Sequence, residues 1–102
     1  MIIAELTIDE PDFANFVEGT QVNSATSLAV EPGMLHFEIV PDKERSVVRL
    51  VEGYLTREDF ERHLQTRHFL AWKERCFPLI RRRFTSHFEM SKRIEEPTSA
   101  AS

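Results

Sequence analysis

Residues 34–55 read MLHFEIVPDKERSVVRLVEGYL. In the first seven positions Leu35, Phe37 and Ile39 fall on one parity and His36 and Glu38 on the other, a period of two that marks a strand. VVRLVEGYL at 47–55 is a second such run, and PDKERS between them is polar turn chemistry, so the two strands form an antiparallel hairpin. Upstream, Glu31-Pro32-Gly33 is a stop: proline cannot continue a helix and glycine permits a sharp turn. Downstream, Thr56-Arg57-Glu58-Asp59 is close to a capping box, with Asp in place of Glu or Gln.

The hairpin thus has a helix on each side. The upstream helix starts at Asp9-Glu10-Pro11-Asp12, where Asp9 caps and Pro11 suits the first turn, and continues through Phe13, Phe16, Val17 and Thr20. Its second half, TQVNSATS, is a poor helix former, so it either depends on tertiary packing or gives way early to a loop. Before it, IIAELTI at 2–8 alternates Ile2, Ala4, Leu6 and Ile8 against Ile3, Glu5 and Thr7, a half-buried strand. The downstream stretch 57–77 is helical with a break near Thr66-Arg67; Phe60 and Leu64 form one buried pair, and Phe69, Trp72 and Cys76 continue the spacing. Pro78 ends it, and Arg82 to Met90 alternates as a last strand.

The order is β-α-β-β-α-β. It predicts an α+β, ferredoxin-like domain over residues 1–92, a four-stranded antiparallel sheet with helices on one face, followed by a tail at 93–102 that is loose or packed on a partner subunit. The second sheet face carries Glu5, His36, Glu38, Arg49, His87 and Glu89 among Ile3, Met34 and Val51, a mixture that suits water or a dimer interface.

Composition bounds the function. With 102 residues there is room for one domain, and 13 Lys plus Arg against 17 Asp plus Glu argue against nucleic acid and anionic membranes as partners. The start MIIAELTIDEPDF has no basic region of a targeting peptide, and no apolar run approaches the ~20 residues of a membrane span. One cysteine, Cys76, permits no internal disulfide, so a reducing cytoplasmic setting fits.

From Glu31 to Trp72 the chain resembles the antibiotic biosynthesis monooxygenase family. The matching features are Glu31-Pro32-Gly33, then Glu52-Gly53-Tyr54, then His63-Leu64-Gln65-Thr66-Arg67-His68-Phe69-Leu70-Ala71-Trp72. The resemblance implies a homodimer whose sheets pack into a dimeric α/β barrel, with a pocket in each protomer between sheet and helices. It also implies cofactor-independent oxidation of polycyclic phenols or quinols by O2, or, in a branch that processes a sugar-derived signal, isomerisation. Thr66-Arg67 departs from the proline that relatives often have after the Thr, which puts an Arg at the pocket mouth or in solvent. Haem-degrading relatives do not match. They use an Asn on the first strand, a Trp and a haem-ligating His, whereas here the first strand lacks Asn, and His63 and Lys73 stand at the other two places.

Glu52 shares the core parity of Val48, Leu50 and Tyr54, and a carboxylate there needs a partner, with His63 or His68 expected. His63 and His68 are the acid–base candidates, because imidazole exchanges a proton near neutral pH. Their spacing is not the i, i+4 of a helical metal pair and no third ligand is visible, so no metal and no cofactor is expected. Tyr54 and Trp72 offer flat surfaces with one polar handle each for a small aromatic or carbonyl substrate, and Phe37, Phe60, Phe69 and Phe88 supply apolar walls or plain core. Cys76 reads as a buried structural thiol, and Arg81-Arg82-Arg83 as a solvated strand entry. The resulting expectation is a cofactor-independent monooxygenase of a phenolic or quinol-like substrate. The alternatives are an isomerase or tautomerase of a small hydroxyketone, and a non-catalytic ligand-binding dimer.

Overall fold

The computed structural model describes residues 1–88. In chain order it contains β1 (Ile2–Ile8), α1 (Glu10–Val30), β2 (Met34–Asp42), β3 (Val47–Tyr54), α2 (Arg57–His63), α3 (Arg67–Cys76), a single 3-10 turn (Phe77–Leu79) and β4 (Ile80–His87). The strands lie in the order β2-β3-β1-β4, every neighbour antiparallel. The expected β-α-β-β-α-β arrangement is therefore present, with the second helical stretch divided in two. The expected tail at 93–102, and Glu89 and Met90 of the expected last strand, lie outside the described residues.

β1 runs through the middle because its alternation is complete. Ile2, Ala4, Leu6 and Ile8 are all buried against the helices, joined by Val48, Leu50 and Tyr54 of β3 and by Phe13 and Phe16 of α1. The outer face of the sheet carries no helix.

The face assignment on β2 needs correction. A bulge between Met34 and His36 inserts one extra residue, so Met34 opposite Tyr54 and Phe37 opposite Glu52 both point to the core. Leu35, expected inside, is 59% exposed, and Met34, expected on the outer face, is buried. β4 also differs: His87 pairs with Ile2 and meets the Phe60 ring edge-on, which places it on the helix side, not the outer face. Phe84, opposite Glu5, is 68% exposed on the open face.

α1 does not fray at its polar half. Its buried stripe is Phe13, Phe16, Gly19, Thr20, Asn23, Ser24 and Ser27, small side chains that let the helix lie close to its neighbours. A Cβ on Gly19 would collide with Cys76 Sγ of α3. The Thr20 hydroxyl donates to the Phe16 carbonyl at 2.8 Å and accepts the Trp72 indole N–H at 2.9 Å. Packing thus overrides the weak propensity.

The expected helix break falls at Leu64-Gln65-Thr66. α2 starts with a complete capping box between Thr56 and Asp59, and Thr66 caps α3 by accepting from the Phe69 N–H. Because α2 stops at His63, Leu64 is not the buried partner of Phe60 but is largely exposed.

Candidate active site

Glu31 is the residue on which the site converges. It ends α1 as an extended C-cap, and its Oε2 accepts a hydrogen bond from His63 Nδ1 at 2.8 Å and from His68 Nε2 at 2.5 Å. His63 is the last residue of α2 and His68 the second of α3, so the break between them turns both rings onto one oxygen. Thr66 holds that turn by donating its hydroxyl to the His63 carbonyl at 2.8 Å. All three side chains are withdrawn from water, His63 most completely. Burial works to raise the Glu31 pKa, but the hydrogen bonds from His63 and His68 outweigh it and hold the carboxyl below its ordinary range.

Gly33 lets the second helical stretch approach. A Cβ there would run into the carboxylate of Asp59, which is fixed by the Thr56 backbone and hydroxyl and by Arg62. The Glu31-Pro32-Gly33 stop therefore supplies both the carboxylate and the clearance that sets the histidines against it.

The expected partnership of Glu52 with a histidine is not what the structure contains. Glu52 does face the helices, between Phe37 and Ile2 across the sheet, but its Oε1 accepts from the Tyr54 hydroxyl at 2.6 Å. Burial raises the Glu52 pKa, with the Tyr54 hydrogen bond only partly opposing it. Burial, followed by the neighbouring Glu52, also pushes the Tyr54 phenol far up, so it stays protonated. The two pairs adjoin: the Tyr54 and His63 ring centroids are 5.7 Å apart. One carboxyl is thus held charged and the next is biased towards neutral, the separation from which an acid and a base are made.

Two concavities open from this region. A cleft of about 470 Å³ is lined by Tyr54, Thr56, Phe60 and His87, but by none of Glu31, His63 and His68. A smaller cavity of about 130 Å³ between α1 and α3 is lined by Asn23, His68, Ala71 and Trp72. Of the expected substrate-binding residues, Tyr54 and Phe60 therefore border the cleft and Trp72 the smaller cavity, while Phe37 is core. Phe69 packs between the His63 ring (5.1 Å) and the Trp72 ring (5.6 Å) and fixes both. Phe88 is exposed at the cleft edge.

The third ligand that the sequence did not reveal is Glu31. Together with His63 and His68 it presents three potential metal-ligating atoms within 4.8 Å of one another. The contacts of 2.8 and 2.5 Å are hydrogen-bond lengths, longer than the ~2.0–2.2 Å of zinc to nitrogen or oxygen. Cys76 is fully buried against α1, and burial raises its thiol pKa, as befits a structural cysteine. Arg81 pairs with Asp9, and Arg83 lies over the Phe77 ring at 5.1 Å.

The family model described as antibiotic biosynthesis monooxygenase matches residues 1–75. The chain belongs to the antibiotic biosynthesis monooxygenase family. No match is found among curated proteins. Among solved structures, one described as "Putative antibiotic biosynthesis monooxygenase from Nitrosomonas europaea" is 25% identical with a TM-score of 0.81, covering 89% of this chain and 88% of that one. A similarly described protein from Caulobacter crescentus CB15 is 22% identical with a TM-score of 0.82 over 89% and 88%. One from Bacteroides thetaiotaomicron VPI-5482 is 22% identical with a TM-score of 0.81 over 87% and 86%. These last two likenesses establish the fold that this family member shares.

Proposed function

We propose that this family member is a cofactor-independent monooxygenase that oxidises a small phenolic or quinol-like substrate with O2, working as a cytoplasmic homodimer. The observation that carries the reading is the single oxygen of Glu31 shared by His63 and His68. A carboxylate can only accept, so it takes the Nε2–H of His68 and leaves the lone pair on Nδ1, as a general base requires. His63 and Phe69 hold that arrangement in place.

His68 takes the phenolic proton, and the phenolate passes an electron to O2; the resulting radical pair joins at a ring carbon as a peroxide. The imidazolium returns its proton to the distal oxygen. The ring nitrogen then removes the C–H proton as the O–O bond breaks, and the departing hydroxide carries that proton away as water. Phenol and O2 thereby become quinone and water, with no external reductant. Glu52, biased towards neutral, and protonated Tyr54 keep a second negative charge out of the same interior.

Dimer formation through the open sheet face is part of the proposal. Leu35, Val40 and Phe84 are exposed there, beside the Glu5–Arg49 and His36–Glu38 pairs. Sedimentation should give twice the chain mass, and Phe84→Glu should shift it to monomer.

The deciding experiment is oxygen uptake with a series of phenols by enzyme dialysed against a chelator. Uptake is expected to survive dialysis and to fall about 10²–10⁴-fold in His68→Ala. Full activity in the double variant His63→Ala, His68→Ala overturns the mechanism. Conversion of a hydroxyketone without oxygen uptake replaces it with proton transfer between carbons, for which Glu31–His68 and Glu52 already provide a base and an acid.

A further inference from the structure

We infer that Asn23 is a substrate-binding residue, and that the cavity it shares with His68 and Trp72 admits a single six-membered ring carrying a hydroxyl group. Asn23 stands in the buried stripe of α1 and is only 4% exposed, yet its Oδ1 has no hydrogen-bond partner. Asparagine is a weak helix former, and a buried unpaired amide oxygen costs stability as well. Nothing in the packing of α1 requires it.

The other polar groups around the cavity are already engaged. The Trp72 N–H is held by Thr20, the Arg75 guanidinium by Asn15 and Glu18, and His68 Nε2 by Glu31. That leaves the Asn23 amide and His68 Nδ1 to meet a ligand, while Val22, Ala71 and the Trp72 ring supply apolar wall. A hydroxyl can donate to Oδ1, whereas a bare hydrocarbon leaves it orphaned.

Size narrows the class further. The cavity measures about 130 Å³, close to the roughly 150 Å³ known to hold one benzene. A monocyclic phenol fits with its ring against Trp72, and a three-ring quinol does not. The place of this ligand in catalysis rests on the reading of His68 as base, but its binding does not.

Trp72 is the only tryptophan in the chain, so its fluorescence reports occupancy directly. Catechol, toluene and 9-phenanthrol should be titrated under nitrogen into the full chain, where no turnover can occur. Catechol is expected to bind at least about ten-fold more tightly than phenanthrol. Asn23→Ala should lose about ten-fold for catechol and nothing for toluene, the loss of one ordinary hydrogen bond. Ala71→Phe, at an exposed position that does not endanger folding, should block both. No catechol binding, equal binding of phenanthrol, unchanged catechol affinity in Asn23→Ala, or indifference to Ala71→Phe each overturns the inference. If catechol binds as described but no oxygen is consumed in air, the monooxygenase reading fails and this site stands.

Discussion

The Tyr54 hydroxyl donates to the Glu52 carboxylate at 2.6 Å from two positions along the same face of β3, so a sheet that should be apolar there holds an acid instead. Burial raises the Glu52 pKa. A group whose native pKa is raised favours folding most below its unfolded value of about 4.5, and that contribution is lost as pH rises towards the native value. Glu52→Gln should therefore be more stable than the parent at pH 8, with the gain shrinking towards pH 4, as measured by urea unfolding at both.

Glu31 has the opposite sign. Its pKa is lowered, so its contribution is present above about 4.5 and is lost as pH falls through the native value. Glu31→Gln should destabilise by about 2 kcal/mol at pH 7, the range for hydrogen bonds to a charged group, and by less in acid. Turnover should fall in the same variant, because glutamine does not hold both imidazoles by one acceptor. The paired urea and oxygen-uptake measurements separate the two effects.

Asn23→Leu should raise stability by about 1 kcal/mol. It removes an unpaired buried oxygen and places apolar atoms beside an existing cavity. A higher urea midpoint with lost catechol binding is the expected pair of results, a trade between stability and function.

Gly33→Ala should lower the thermal midpoint through the α2 cap rather than through backbone strain. The added Cβ would displace the Asp59 carboxylate that completes the capping box. In a double-mutant cycle with Asp59→Ala the two losses should not add, since both remove the same cap.

The hairpin, the two flanking helices and the cap at Thr56 were legible because each depends on spacing within a few residues. The bulge was not: Met34 and Leu35 are both apolar, and nothing in that pair says which one the sheet will expel. His63 and His68 were found from their residue type and the nearby break. Their partner was not, because Glu31 lies 32 and 37 residues away and the contact exists only once α1 folds against the break. The one available signal was Glu31-Pro32-Gly33, which read as punctuation. Asn23 was hidden for a similar reason: TQVNSATS registers as weak helix, and its polarity acquires meaning only when Trp72 and His68 close over it.

α1 has no basic residue in its last turn, although the negative end of its dipole lies there and Glu31 adds a full charge. The two imidazoles across the break occupy the position that lysine or arginine would normally fill. An imidazolium formed during turnover is thus the helix's missing counter-charge, present only while a proton is in transit. The longest helix of the described chain is electrostatically complete only in the middle of the reaction, so the scaffold itself favours the charged intermediate over the resting state.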